Sequence, residues 1–97
     1  MLGKEEILKT LRELEGEINK EYKAEITGLF GSFARDEATE ESDVDVLAKF
    51  KKGASYFDLV GMSQFLEEKF NRKVDVVSVG GLRKELEPYV YQDLIKL

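Results

Sequence analysis

Histidine and cysteine are both absent from this 97-residue sequence, and proline occurs once. Without cysteine there is no disulfide framework and no thiolate metal site, and without histidine there is no zinc site of the usual kind and no imidazole base. Any side chain that moves a proton in catalysis must therefore be Asp, Glu, Lys or Tyr. No apolar run approaches the length of a membrane span, and Met1 is not followed by the basic, apolar and small-residue succession of a signal sequence, so a cytoplasmic location is expected. A basic surface is lacking too. The net charge of −5 argues against a protein that wraps nucleic acid, because neutralising phosphates takes an excess of lysine and arginine. A small anionic ligand held through a metal ion stays compatible with that charge. No internal repeat, low-complexity segment or proline-rich linker divides the sequence, and its length suits one domain over residues 1–97 with a single core. Charged residues make up 36% of the chain, mostly Lys and Glu, with Asn and Gln scarce, a composition that leans toward a thermophilic source.

The pattern of apolar residues gives the order of elements. Over residues 5–19, Ile7, Leu8, Leu11, Leu14 and Ile18 fall at the spacing of one helix face, and the intervening Glu and Lys residues form its solvated side. Ala24–Phe30 is apolar and too short for a standard helix, so it reads as a strand, with Gly28 marking a bulge or a close backbone approach. A short helix follows the Gly31-Ser32 turn, residues 37–42 form a polar loop, and Val44–Phe50 is a second strand. Ser55 and Asp58 resemble a capping box opening a helix that runs to Phe70 and buries Leu59, Met62, Phe65, Leu66 and Phe70. A third strand is expected over residues 74–79, ended by Gly80-Gly81. The last helical region starts near Leu82, is interrupted by Pro88 and resumes over residues 89–97, with Val90, Leu94 and Leu97 on one face and Tyr91 and Ile95 offered to a partner. Helices alternating with strands imply an α/β (α+β) architecture, a small sheet of three or four strands covered by helices.

Within this frame the stretch from Gly31 to Leu47 concentrates the chemistry. Glycine lets backbone approach a ligand closely, and a helix start leaves N–H groups unpaired, so the Gly31-Ser32 corner can hold an anion, with the Ser32 hydroxyl as a further donor. Asp43 and Asp45 head the second strand two residues apart, which places both carboxylates on one side, roughly 6.6 Å apart along the strand. Carboxylates so placed repel unless a cation lies between them, and hard oxygen ligands that leave positions open for phosphate suit Mg²⁺. Asp45 lies between Val44 and Val46, and Asp75 between Val74 and Val76; an unpaired charge in either apolar strand is costly. The two acids could face one another from neighbouring strands, or each could pair with Arg35, Lys49 or Arg72. Gly31-Ser32 could equally be an ordinary turn and cap, and Arg35 either a surface ion-pair partner or a ligand of a triphosphate oxygen.

Gly31-Ser32 followed by Asp43-x-Asp45 resembles the signature of the DNA polymerase beta-like nucleotidyltransferase superfamily. The longer run Gly-Ser-x-Ala-Arg-x-x-Ala-Thr-x-x-Ser-Asp-x-Asp is similar to that of its smallest branch, the minimal nucleotidyltransferase proteins. The resemblance implies a mixed sheet and two Mg²⁺ ions at Asp43 and Asp45, with Asp75 completing the catalytic metal site and able to accept the proton of the attacking hydroxyl. It also implies that Gly31, Ser32 and Arg35 bind the nucleotide. By the same resemblance ATP is the substrate, the reaction is AMP transfer to a tyrosine, and the partner is a HEPN-domain ribonuclease toxin that this chain neutralises as antitoxin. A non-catalytic antitoxin acting by contact is the competing reading. A small-molecule nucleotidyltransferase of the aminoglycoside type fits less well, since those need a second substrate-binding segment. Two positions depart from the branch's pattern: Asp36 stands where glycine is frequent after the arginine, and Glu40 where proline is frequent in the loop. Both add negative charge near a triphosphate and put loop geometry in question.

Overall fold

The computed structural model describes residues 2–97. Helix α1 (Lys4–Tyr22) leads into strand β1 (Ala24–Phe30), the single-turn helix α2 (Gly31–Ala34), strand β2 (Val44–Phe50), helix α3 (Tyr56–Phe70) and strand β3 (Val74–Ser78). Two short 3-10 turns, Val79–Gly81 and Lys84–Leu86, then lead to helix α4 (Glu87–Asp93) and a two-residue strand β4 (Ile95–Lys96). The four strands form one sheet in the order β3-β2-β1-β4. β1 is antiparallel to β2 and β4, whereas β2 and β3 run parallel, so the sheet is mixed as expected.

Strand alternation sorts the side chains onto two faces. Val44, Val46 and Ala48 of β2 and Val74 and Val76 of β3 are buried on one face, where they meet Ile7, Leu11 and Ile18 of α1 and Met62 and Leu66 of α3. The apolar stripes read from the sequence are thus the two helical covers of this face. α3 begins with the expected capping box: the Ser55 amide donates to Asp58 Oδ2 at 2.8 Å. Its middle grips the start of β3, with Ser63 Oγ donating to the Val74 carbonyl at 2.8 Å and Glu67 Oε2 accepting from the Val74 amide at 3.1 Å.

The opposite face carries Asp45 and Leu47 of β2 and Asp75 and Val77 of β3, with the Gly31 turn and the C-terminal part of the chain beside it. The β1–β2 register slips between Ile26 and Gly28, so that Ile26 faces Ala48 but Gly28 faces Leu47, leaving Thr27 as an extra residue. Beyond this bulge Leu29 is fully buried in the main core, and Phe30, opposite Asp45, belongs to the other face. Gly28 meets both expectations: it sits at a bulge, and a Cβ there would collide with the Ile95 carbonyl oxygen of the adjoining β4.

The end of the chain differs from the expectation. Pro88 does not interrupt a helix; it occupies the first turn of α4, where its fixed φ and missing N–H are harmless. The helix stops at Asp93, Leu94 is extended (φ −63°, ψ 125°), and Ile95 pairs with Leu29 in the sheet, partly buried. Tyr91 remains exposed on α4, but Ile95 is not beside it on a helical surface. Strand β3 also ends one residue earlier than expected, at Ser78. No helix of the described residues is long and apolar enough to cross a membrane.

Candidate active site

Three strand ends converge to make the site. The C-terminal end of antiparallel β1 delivers Phe30 opposite Asp45, and the parallel pairing of β2 with β3 sets Asp45 directly beside Asp75. Neighbouring strands are roughly 4.8 Å apart, and residues in register across a parallel pair share a face. Asp43 stands one residue before β2, on the side of Asp45. Sequence inspection left open whether the two strand acids meet or pair with bases; register brings them together, and among the described residues none of the three makes a salt bridge.

Their mutual influence is visible in the protonation of Asp45. Its half-buried carboxyl is pushed from the ordinary 3.8 up to about 6, first by desolvation, then by the charges of Asp75 and Asp43, with Arg35 opposing. Such a site favours either a proton or a cation. Among the described residues, no group of three or more carboxylates is gathered tightly enough to enclose a metal ion unaided. The all-oxygen donor set on an open face nevertheless fits Mg²⁺, which keeps part of its coordination for water and phosphate. Asp43 and Asp45, with Asp75 at the adjoining register position, are the residues that could hold it.

Gly31 turns the chain immediately beside Asp45. Its φ is +78°, in the left-handed region, and a Cβ would strike Asp45 Oδ2 and lie 2.9 Å from its Cγ. Two independent constraints, backbone conformation and contact, thus require glycine. Gly31, Ser32, Arg35 and Asp45, with Phe30, Tyr89, Val90 and Asp93, line a cleft of about 340 Å³. The anion corner and the Asp45 carboxylate therefore open into one space, while Asp75 lines an adjoining cleft that shares Phe30, Tyr89 and Val90 with it. A larger cleft of about 550 Å³, lined by Glu15, Asn19, Glu25 and Lys49 among others, lies at the opposite end of β1 and β2 and contains none of these residues. Gly31, Ser32, Arg35 and Asp45 come together only in the smaller cleft among those described.

Arg35 is an ion-pair partner at the edge of the cleft. Its Nε donates to Glu37 Oε1 at 2.8 Å and its Nη1 to Asp93 Oδ2 at 2.7 Å, yet it lines the same cleft as Ser32. Asp36 answers the question of loop geometry. Its φ is +60°, so the position wants the left-handed backbone that glycine adopts freely and aspartate tolerates. Its carboxylate pairs with Lys4 Nζ at 2.9 Å, beside Phe33 and Ala38 and away from the phosphate corner.

Arg72, offered by the sequence as a partner for the strand acids, instead holds the loop before Asp43. Its Nη1 donates to the carbonyls of Thr39, Glu40 and Ser42 at 3.2, 2.8 and 2.9 Å, and its guanidinium lies 5.2 Å from the Phe33 ring centroid. One side chain thereby ties together the segments that carry Ser32, Asp43 and Asp75. Its position three residues before Asp75 is the only sequence signal, and a weak one. Asp93, Tyr89, Leu82 and Leu86 were also given no site role by the sequence, although all line clefts at the site.

Comparison with known proteins concerns the chain as a whole. A family model described as a nucleotidyltransferase domain matches residues 4–96. A protein of Methanocaldococcus jannaschii with a provisional protein adenylyltransferase name is 32% identical over 89 residues, 92% of this chain and 88% of its own length. The protein adenylyltransferase MntA of Thermococcus cleftensis is 30% identical over 98% of this chain and 96% of its own. A solved structure described provisionally as a minimal nucleotidyltransferase superimposes with a TM-score of 0.81 at 33% identity, covering 99% of this chain and 97% of that one. A toxin-antitoxin crystal structure with AMP-PNP matches in fold, with a TM-score of 0.71 at 21% identity over 98% of this chain and 72% of that one.

Proposed function

Since this chain belongs to the nucleotidyltransferase domain family, we propose that it is a Mg²⁺-dependent protein adenylyltransferase. In this reading it transfers AMP from ATP to a tyrosine hydroxyl of a HEPN-domain ribonuclease toxin and so acts as the toxin's antitoxin. The observation that carries the reaction class is the register of Asp45 with Asp75 beside the Gly31 turn, which aligns a carboxylate floor with an anion corner. Relatives named for protein adenylylation over nearly the whole chain support AMP as the transferred group. The toxin partner rests on more distant support, a shared fold with a chain of a toxin-antitoxin structure.

Each residue then has a chemical task. The Gly31 turn and the Ser32 hydroxyl receive the β- and γ-phosphates, and Arg35 exchanges an exposed carboxylate partner for a phosphate oxygen. Bound at Asp43, Asp45 and Asp75, Mg²⁺ would neutralise phosphate charge and acidify the attacking hydroxyl. Asp75, the most exposed of the three acids, accepts the proton as the hydroxyl oxygen bonds to the α-phosphorus. The bond from that phosphorus to the bridging oxygen breaks, and pyrophosphate leaves toward Ser32.

A contact-only antitoxin draws its support from Asp93, which brings a carboxylate into the phosphate cleft and occupies Arg35. One experiment separates the two. The chain is incubated with Mg²⁺, labelled ATP and the co-purified partner, and the partner is weighed by mass spectrometry. AMP should appear on the partner with the unaltered chain and fall by orders of magnitude with Asp75→Asn, while binding persists. Full silencing of the partner by Asp75→Asn, with no AMP found in either case, would establish the contact-only reading.

A further inference from the structure

Arg35 lies between two carboxylates that differ in kind. Glu37 accepts from its Nε at 2.8 Å and is 64% exposed, whereas Asp93 accepts from its Nη1 at 2.7 Å and is 17% exposed. Nη2 has no partner among the described residues. The exposed pair contributes little and opens readily, because water takes the place of either partner. The Asp93 pair is different. Asp93 ends α4, whose last turn has no basic residue, so without Arg35 its carboxylate would stand unpaired at the negative end of the helix, in a cleft that already holds Asp45. Asp93 is also held from both sides: Val90, about one turn earlier, is buried, while beyond it Leu94 is extended, Ile95 pairs with Leu29 and the Leu97 amide donates to the Thr27 carbonyl at 3.3 Å. Strand β1 thus frames both ends of the contact. It runs directly into α2, which presents Arg35 at its C-cap, and it docks the segment that follows Asp93.

We propose that Asp93 is a positioning residue: through Nη1 it holds the Arg35 guanidinium in the cleft so that, once Glu37 is released, Nε and Nη2 take two oxygens of one phosphate of the triphosphate. The inference deepens the nucleotidyltransferase reading and rests on it for the ligand. On a guanidinium, Nε–H and one Nη2–H lie parallel along one edge, the fork that meets phosphate with two bonds, and Nη1 lies off that edge. Holding Nη1 therefore orders the side chain without using its binding edge. Released from Asp93, the long side chain would have to be ordered by the nucleotide itself, which lowers affinity. It would also be free to settle on Asp45, which lines the same cleft and is needed for Mg²⁺.

The test is a double-mutant cycle on the full chain, with affinity for a non-hydrolysable ATP analogue in Mg²⁺ measured by isothermal titration calorimetry. Asp93→Asn and Arg35→Gln should each weaken binding about tenfold, and the double variant should bind no more weakly than Arg35→Gln alone, because Asp93 acts only through Arg35. Asp93→Ser, as an independent second variant, should match Asp93→Asn, and Asp93→Glu, which keeps the charge, should recover part of the affinity. Without nucleotide, separate Arg35 Nη resonances in heteronuclear NMR should mark the held guanidinium of the unaltered chain and merge in Asp93→Asn. Equal or tighter binding by Asp93→Asn would mean that its carboxylate competes with phosphate. A tenfold loss repeated in the Arg35→Gln background would mean that Asp93 acts on the fold or the ligand directly, and merged Arg35 resonances in the unaltered chain would mean that nothing is held; each of these overturns the proposal. If those resonances stay separate but the unaltered chain binds no analogue, it is the nucleotidyltransferase reading that fails, and the proposal falls with it for want of a ligand.

Discussion

Replacing Asp45 by asparagine removes a charge that the fold would sooner not contain, and the change should stabilise the apo protein while abolishing its chemistry. The carboxyl is half-buried beside two other acids, and its pKa is raised from the ordinary 3.8 to about 6. The sign follows from linkage. A carboxyl that binds its proton more tightly in the folded chain supports folding fully below the unfolded pKa, and that support is lost as pH rises through about 6. Above that pH the ionised group is a standing penalty. A rise of roughly two pKa steps corresponds to ~3 kcal/mol at 1.36 kcal/mol each, and discounting by half for solvent screening of a half-exposed group leaves ~1.5 kcal/mol. For a domain of this size that is on the order of 6–12 °C in melting temperature. Differential scanning calorimetry in chelator at pH 7.5 should therefore show Asp45→Asn melting higher than the unaltered chain, and at pH 4 the gap should nearly close. Mg²⁺ with a non-hydrolysable ATP analogue should reverse the order at pH 7.5, because only the unaltered chain gains from binding. Equal melting temperatures at both pH values would mean that Asp45 is well compensated, and the case for a built-in cation site would fall.

Gly31→Ala meets both a left-handed backbone and the Asp45 carboxylate, so we expect a loss of at least ~1–2 kcal/mol by denaturant titration and loss of analogue binding as Asp45 is displaced. Gly28→Ala drives a methyl into the Ile95 carbonyl and should cost ~1–3 kcal/mol, with hydrogen exchange accelerating first at Ile95 and Leu97, whose pairing with β1 must open. Arg72→Met removes three carbonyl bonds and should cost about 2 kcal/mol; because the freed loop carries Asp43, affinity for Mg²⁺ with the analogue should drop as well, and Arg72→Lys should restore only part of either. A Gly31→Ala chain that binds the analogue normally, or an Arg72→Met chain whose loop amides exchange at unaltered rates, would contradict the geometry from which each expectation derives.

Much of this arrangement could be read along the chain because it is periodic or local. The stripe from Ile7 to Ile18, the Ser55–Asp58 capping box and the strand acids flanked by valines each announce themselves within a few residues. The meeting of Asp45 with Asp75 was only a possibility in sequence, because the partner of a strand is set by topology rather than by the strand itself. Residues 94–97 were misread for a physical reason. Val90, Leu94 and Leu97 have helical spacing, yet Leu94 is extended because β1 offers an unpaired edge at Gly28 and Leu29. Tertiary pairing outweighs a short local pattern. The role of Arg72 was misassigned to the strand acids because its actual partners are backbone carbonyls, which carry no residue identity, and the cleft-lining Leu82 and Leu86 went unassigned because 3-10 turns have no period to detect.

The extra residue in β1 works as a phase shifter. Before Thr27 the strand addresses its apolar side chains to α1 and α3; after it, the same alternation is offset by one, so Leu29 remains with the helices while Phe30 and the turn at Gly31 are delivered to the reacting side. The site thus depends on Thr27 being left out of the pairing. Substituting Thr27 changes one side chain of a bulge, and deleting it would straighten the ladder while Leu29 still met Val46 and Phe30 still met Asp45. Drawing Thr27 into the ladder is what would exchange the two: Leu29 would fall opposite Asp45 and Phe30 opposite Val44 in the core, and the reacting side would lose its turn with every acid intact.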